Sequence, residues 1–503
     1  MENGTLITQI EKALQCLQSG DPIHAIELFE VVLQQSPNQP DALHGLGLAY
    51  AQQKDFKKSL LYLQKAIEQA PNIPGFHNNL ANAYKNIGQL ELAERHYLQA
   101  LRLKSPYSEA HNNLGSIYFL QGKLNEAIEQ FQKALRINPS LWDAHFNLAL
   151  CYLRQEHYLD AKPHLEAVLK QRPDHLGALN NLGIVYCLLK LYDQSKPLLQ
   201  KVIERNPQDI EAQFHLALAH SALGEMNQGK TLYQNILKQN PDHARAQHNL
   251  ATLYLQRDRK TLALMHYEAA YRLEPNNLTA LHMIKALKGE TLKEGAPQAY
   301  VQALFDQYAY TYDQHVKEKL KYQVPHLLRE MIQPLAAQKT IPWKVLDLGC
   351  GTGLCAPYFT DLADKLYGVD LSPNMIQKAS QLGAYYKLAI DDVNHYLNKT
   401  AEKFDLILAG DVFIYFGDLK EIFTLCYGAL NPSGYFLFSV EGLLDKPESY
   451  LLSETGRYQH QREYILQLAA EIGFEVLSEK TDTLRYQEDH PVSGFLFLMG
   501  KKS

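Results

Sequence analysis

The 503-residue chain lacks most features that assign a function quickly. Its six cysteines, Cys16, Cys151, Cys187, Cys350, Cys355 and Cys426, include no C-x-x-C pair. That spacing offers neither a zinc ribbon nor a secreted disulfide framework, supplies no metal site, and suits a reducing compartment. No dense Lys/Arg cluster occurs, and 49 basic residues stand against 55 acidic ones, a net charge of -6. Nucleic-acid binders show a basic stripe, so neither DNA nor RNA is an expected partner. No run approaches the roughly 20 apolar residues of a membrane-spanning helix. Met1-Glu2-Asn3-Gly4 has neither the basic n-region nor the apolar h-region of a signal peptide. The expectation is a soluble, cytoplasmic protein without membrane contact. The 46% apolar content excludes wholesale disorder. The length suggests two to four domains, or one domain beside a repeat array.

A repeat is present. Pro37, Pro71, Pro106, Pro139, Pro173, Pro207, Pro241 and Pro275 recur at steps of 33 to 35 residues. Tyr50, Tyr84, Tyr118, Tyr152, Tyr186, His220 and Tyr254 keep the 34-residue step. A leucine followed by a small residue precedes each of them, from Leu46-Gly47 to Leu250-Ala251. Small residues open the second half of each period (Ala25, Ser59, Ala93, Ala127, Ala161, Ser195, Gly229, Ala263), and an aromatic or Leu follows four residues later. Apolar positions three and four apart give two amphipathic helices per period. Gly or Ala lets the paired helices approach, Tyr and Leu fill the gap, and proline ends the second helix. The pattern resembles the tetratricopeptide repeat over residues 4 to about 275, with a closing helix over 276–288. The resemblance implies an α-solenoid, a right-handed superhelix with a concave groove, over residues 1–287.

Asparagine recurs just before the Leu at Asn79, Asn113, Asn147, Asn181 and Asn249, with His215 and Gly45 breaking the series. Each amide offers one acceptor and two donors. Such a ladder can pair with the backbone of an extended peptide, or it can bridge neighbouring helices. The repeats of O-linked N-acetylglucosamine transferases carry a similar ladder used on peptides. That resemblance implies a protein or extended-peptide partner in the groove.

The repeat pattern dies after Leu287, and 288–299 reads as a polar, Gly/Pro-punctuated linker. From 300 to 503, apolar runs at 343–348, 365–370, 385–390, 404–409, 434–440, 473–478 and 493–499 alternate with helical segments. Alternation of this kind means a doubly wound α/β domain with a mostly parallel seven-stranded sheet, the last two runs pairing as an antiparallel hairpin.

Val345-Leu346-Asp347-Leu348-Gly349-Cys350-Gly351-Thr352-Gly353-Leu354 runs from a strand through a glycine turn into a helix. Leu366-Tyr367-Gly368-Val369 ends at Asp370, a carboxylate placed to grip ribose hydroxyls. A dinucleotide fingerprint is G-x-G-x-x-G, which cradles a pyrophosphate; here the third glycine comes one residue early. The spacing, with Leu371-Ser372 and Met375 beyond Asp370, resembles the cofactor loop of class I S-adenosylmethionine-dependent methyltransferases. The resemblance implies S-adenosyl-L-methionine held by Asp347, Gly349, Cys350, Gly351, Gly353, Asp370, Leu371 and Met375. It adds Asp392 (with Asp391 the near alternative) and Val393 after the third strand, and Gly410 after the fourth. Phe305-Asp306-x-Tyr308-Ala309-x-x-Tyr312-Asp313 and Gly456-Arg457-Tyr458-x-His460 resemble bacterial methyltransferases that carry tetratricopeptide repeats, which makes Tyr308 and Tyr312 candidates for a cofactor lid.

Transfer from an activated sulfonium is an in-line displacement, so alignment dominates and a base is needed only where the acceptor loses a proton. Asp411, Tyr415 and His460 are the candidate catalytic residues, with His315 a further choice, and Arg457 could hold an anionic substrate. Neither the D/N-P-P-Y/F loop of adenine- and glutamine-directed family members nor the double-glutamate loop of arginine methyltransferases is found. The expected function is a methyltransferase whose repeats bind a protein or peptide partner, its substrate being one candidate for that partner. The alternatives are a small-molecule methyltransferase with an independent interaction module, and a non-catalytic scaffold.

Overall fold

A computed structural model describes residues 2–292, 295–308, 316, 320–338, 341–444, 446–487 and 490–502. The chain divides into two compact units, Met1–Leu232 and Tyr233–Ser503. None of the described helices is long and apolar enough to cross a membrane.

The first unit is a succession of helix pairs such as Pro40–Gln52 with Phe56–Gln69, and Ser108–Leu120 with Leu124–Ile137. The pairing rests on size matching at one contact. A Cβ on Gly115 would lie 2.8 Å from the Phe131 ring, and one on Gly183 2.7 Å from Leu199. Small residues on the first helix therefore make room for the aromatic or Leu of the second. Phe29, Leu63, Tyr97, Phe131, Leu165 and Leu199 are all buried. The prolines that mark the period sit just past the second helices, after caps such as Ser36, Ala70 and Arg172. Pro40 and Pro74 open first helices instead, where their missing N–H costs nothing.

The second unit begins with helices of the same kind, Ala244–Leu255, Lys260–Leu273 and Leu278–Lys288, and continues into an α/β sheet. Its strands are β1 (Trp343–Leu348), β2 (Ala363–Asp370), β3 (Lys387–Ile390), β4 (Phe404–Ala409), β5 (Leu430–Glu441), β8 (Phe474–Gln487) and β9 (His490–Lys501). The sheet order is β3-β2-β1-β4-β5-β9-β8. β1 to β5 run parallel, and β9 pairs antiparallel with both β5 and β8. The last two strands of the chain, β8 and β9, thus form the expected hairpin. A separate two-stranded ribbon, β6 (Tyr450–Leu452) with β7 (Tyr458–His460), was not expected.

Alternate strand residues face opposite sides. Leu346, Leu348, Phe436 and Phe438 join Phe413, Phe423 and Leu468 in one core. Val345, Leu406, Leu408 and Leu437 join Leu328, Trp343 and Phe359 in the other. With both faces covered, the functional groups gather at the carboxyl ends of the parallel strands.

Candidate functional site

The turn after β1 is built on left-handed backbone: φ is 60° at Gly349, 54° at Gly351 and 90° at Gly353. Only glycine adopts that region without cost. A Cβ on Gly349 would press to 2.7 Å from Val412, so the turn lies against the loop after β4. At Gly351 a Cβ would meet nothing within 4 Å, leaving bare main chain beside open space.

Asp370 ends β2 beside this turn. It is buried, and its carboxylate accepts from the N–H of Gly351 at 2.9 Å and of Ser372 at 2.8 Å. Burial raises its pKa, and those backbone donors oppose the rise. Ser372 caps helix Pro373–Gln381 by accepting from the Met375 N–H, and its hydroxyl donates to Asp306 at 2.6 Å. Helix Gln298–Tyr308 is thereby docked across the end of β2, and Phe305 meets Tyr415 edge-on at 5.5 Å. The side chain of Tyr308, together with Tyr312 and His315, lies outside the described residues. Leu371 is half-buried, and Met375 is buried in its helix.

Beneath the turn, Asp347 accepts from the Tyr385 hydroxyl at 2.7 Å, and full burial raises its pKa to about 7. Burial also pushes the Cys350 thiol up. After β3, Asp392 caps helix Val393–Lys399 through the N–H groups of Asn394 and His395, and Val393 packs into the core. Asp391 accepts from its own neighbour's N–H and pairs with His395 at 2.7 Å. Both carboxylates reach the same sheet edge, each with a local partner.

The loop after β4 holds a buried charge cluster. Gly410 lies under the Tyr322 hydroxyl and Cys355. Asp411 has φ of 63°, unusual for a residue with a side chain. Arg485, only 1% exposed, places Nη1 2.7 Å from both Asp411 oxygens and also pairs with Glu441. Burial alone would lower the Arg485 pKa, but the two carboxylates overcome it and raise it. Ser439 accepts from the Asp411 N–H at 3.0 Å, and Gln459 donates to Glu441 at 3.0 Å. Tyr415 is buried, which raises its pKa, while Arg457 beside it pulls the other way. His460 is fully buried, bonds the Gly417 carbonyl at 3.0 Å, and is held down to about 4 by burial. The expected residues Asp411, Tyr415, Arg457 and His460 are therefore assembled around one loop. Arg485 and Glu441 join them at this loop, while Asp306 and Tyr385 stand by Ser372 and Asp347; none of the four was singled out as a site residue from the sequence.

The β6–β7 ribbon ties this loop to the helices that precede the sheet. His282 of helix Leu278–Lys288 bonds the Gly456 carbonyl at 3.0 Å, and the Tyr458 hydroxyl donates to the Leu292 carbonyl at 2.8 Å. The Ala296 N–H reaches the Tyr415 carbonyl at 2.8 Å.

The asparagine ladder is used at least in part within the repeats. Asn79 donates to His44 at 2.9 Å, Asn113 to Asn78 at 3.1 Å and Asn147 to Asn112 at 3.0 Å, each to the preceding first helix. Asn249 donates to Tyr233 at 3.1 Å. These four and Asn181 are all half-buried.

The turn and Asp370 fit an adenosyl group by their own chemistry: open space over bare backbone, and a carboxylate with lone pairs left for sugar hydroxyls. Family comparison agrees with the class. A methyltransferase domain matches residues 318–479. Tetratricopeptide repeat models match 17–72, 62–95, 152–219, 189–253 and 244–277, and a TPR repeat model matches 115–156. The Ubiquinone biosynthesis O-methyltransferase of Rhodopseudomonas palustris (strain TIE-1) is 32% identical over 93 residues, 18% of this chain and 37% of that protein. The Malonyl-[acyl-carrier protein] O-methyltransferase of Hamiltonella defensa is 26% identical over 146 residues, 29% of this chain and 54% of that protein. The chain thus spans between a third and about half the length of these curated relatives. Among solved structures, one of Pseudomonas aeruginosa pilF aligns at 20% identity and TM-score 0.39, over 42% of this chain and 97% of that one. Magnesium protoporphyrin IX methyltransferase from Synechocystis PCC 6803, with bound SAH, aligns at 15% identity and TM-score 0.33, over 41% and 99%. Use of S-adenosylmethionine is a general property of such domains. The chain carries tetratricopeptide repeats followed by a domain that matches a methyltransferase family model and is built on a seven-stranded, mostly parallel sheet.

Proposed function

We propose that the α/β domain transfers a methyl group from S-adenosyl-L-methionine to an oxygen acceptor, and that the repeats bind an extended protein segment that is, or carries, that acceptor. The observation that carries the first half is the cradle between Gly351 and Asp370. When bound, the sulfonium supplies an already activated methyl group. The chain's own work is to hold and align. Gly349, Gly351 and Gly353 clear the main chain, Asp370 takes the ribose, and Asp391 or Asp392 takes the base. Asp347 and Cys350 support the turn from below, and Leu371, Met375, Val393 and Gly410 wall the site. Helix Gln298–Tyr308 covers it, with Tyr308 and Tyr312 the lid candidates named from the sequence alone.

On the acceptor side, Asp411 is neutralised by Arg485, and His460 is neutral and bonded to Gly417. We assign both to holding the loop, and Tyr415 with Arg457 to receiving the acceptor. The oxygen acceptor is suggested by the names of the relatives, both O-methyltransferases. One of those names describes a substrate attached to a carrier protein, the arrangement in which a protein-binding array would present an acceptor. The Asn79, Asn113, Asn147, Asn181 and Asn249 ladder is the expected peptide contact.

Isothermal titration of the full chain with S-adenosylhomocysteine tests the reading. Saturable one-to-one binding, abolished in Gly351→Arg, is expected. Absence of heat with the wild type would leave only a scaffold, and unchanged affinity in the variant would misplace the pocket.

A further inference from the structure

A cavity of about 390 Å³ opens between three successive first helices of the repeats: Pro74–Asn86, Ser108–Leu120 and Trp142–Arg154. Lys85, Ser116, Phe119, Leu120, Asn147 and Leu150 are among its walls. Leu120 is 59% exposed, so the apolar floor is open to solvent.

Its charge is unusual for this array. One register of the 34-residue period reads Ala51, Lys85, Phe119, Leu153, Cys187, Ser221 and Leu255, so only Lys85 is charged there. Four other lysines of the repeats are ion-paired, Lys58 with Asp55, Lys133 with Glu129, Lys162 with Glu166 and Lys196 with Glu225. Lys85 has no such partner among the described residues, and burial alone perturbs it, lowering its pKa. Arg154 lies 4.0 Å over the Phe119 ring, likewise without an ion pair among the described residues. Two cations without carboxylates thus flank an apolar wall in a chain of net charge -6. A half-buried ammonium without a counter-ion is unfavourable, and a ligand carboxylate relieves it through charge-assisted hydrogen bonds. Asn147 spends an amide hydrogen on Asn112, which leaves its carbonyl oxygen for a peptide N–H.

We propose that this cavity is the specificity pocket of the repeats and takes an acidic segment of an extended peptide: one carboxylate between Lys85 and Arg154, and an adjacent apolar side chain against Phe119, Leu120 and Leu150. The proposal rests on the peptide-binding reading of the repeats and adds to it a sequence preference that a ladder of amides alone does not have.

The test is a displayed library of random 12-residue peptides panned on the full chain and on Lys85→Gln and Lys85→Arg, each variant first checked for an unchanged thermal melt. Enriched peptides are expected to carry Asp or Glu beside an apolar residue on the wild type and on Lys85→Arg, and to lose that excess on Lys85→Gln. An enriched peptide should bind about tenfold more tightly than its Asn/Gln analogue to the wild type, and equally with it to Lys85→Gln. Enrichment without an acidic excess, or equal affinities on the wild type, overturns the pocket assignment and leaves peptide binding standing. No enrichment on any of the three overturns both.

Discussion

Arg485→Met is the most informative single change to the fold around the site. The guanidinium is 1% exposed, and its partners Asp411 and Glu441 are 16% and 8% exposed. Methionine matches the stem but leaves buried Glu441 and partly exposed Asp411 without their counter-ion. Breaking a buried pair from one side costs about 3–5 kcal/mol, because the surviving charge is uncompensated. Two survivors put this case at the upper end, about 5 kcal/mol. For a unit of this size that corresponds to roughly 10–20 °C in the melting temperature. Differential scanning calorimetry of the full chain reads it, with the transition of the second unit falling and that of the first unmoved. The triple variant Arg485→Met, Asp411→Asn, Glu441→Gln removes the stranded charges and should regain most of the loss. A fall below about 1 kcal/mol in the single variant, or no recovery in the triple, would refute a charge-linked loop and leave ordinary packing in its place.

Other consequences are smaller or more local. His44 is held down to about 4 by burial and accepts from Asn79. Its folded pKa lies below the unfolded value, so the stability it contributes is present above about pH 6.5 and lost as pH falls toward 4. The melt of the first unit should therefore drop across that window, and His44→Gln should flatten the drop; equal slopes would contradict the assignment. Gly183→Val places atoms where Leu199 already lies and should cost about 1–3 kcal/mol in urea unfolding; a neutral result would mean the helix pair is looser than described. A fragment of 300–503 loses the partners that Gly456, Tyr458 and Tyr415 find in His282, Leu292 and Ala296. At about 1 kcal/mol per hydrogen bond, before counting packing, it should melt several kcal/mol below a 233–503 fragment; equal melts would show that the preceding helices add nothing.

The legible parts of the fold were those written as spacing. The 34-residue step survives because each period repeats one contact, small residue against aromatic, as at Gly115 and Phe131. The strands buried on both faces, such as Val345–Leu348 and Phe404–Ala409, are apolar runs broken only by Asp347 and Asp405, and they stand out. The end of the sheet does not. β8 runs on to Gln487 as a largely exposed strand, and its alternation is masked by Glu475, Ser478, Glu479, Lys480 and Asp482. A register shift between Thr483 and Arg485 then turns both Leu484 and Arg485 inward. A buried arginine in a polar segment leaves no periodic trace, so the partner of Asp411 could be found only in three dimensions. The asparagine series was legible as a pattern and ambiguous as a role, because an amide serves a neighbouring helix and a peptide equally well. The β6–β7 strands are three residues each, too short to give a periodic signal.

The central claim is that the space beside Gly351 and Asp370 receives the adenosyl group of S-adenosylmethionine. A co-crystal of the full chain with S-adenosylhomocysteine tests it most directly. The account predicts density lying along the Gly349–Gly353 turn with the ribose hydroxyls on Asp370. Density elsewhere on the sheet edge, or an empty crevice closed by side chains at saturating ligand, would contradict it.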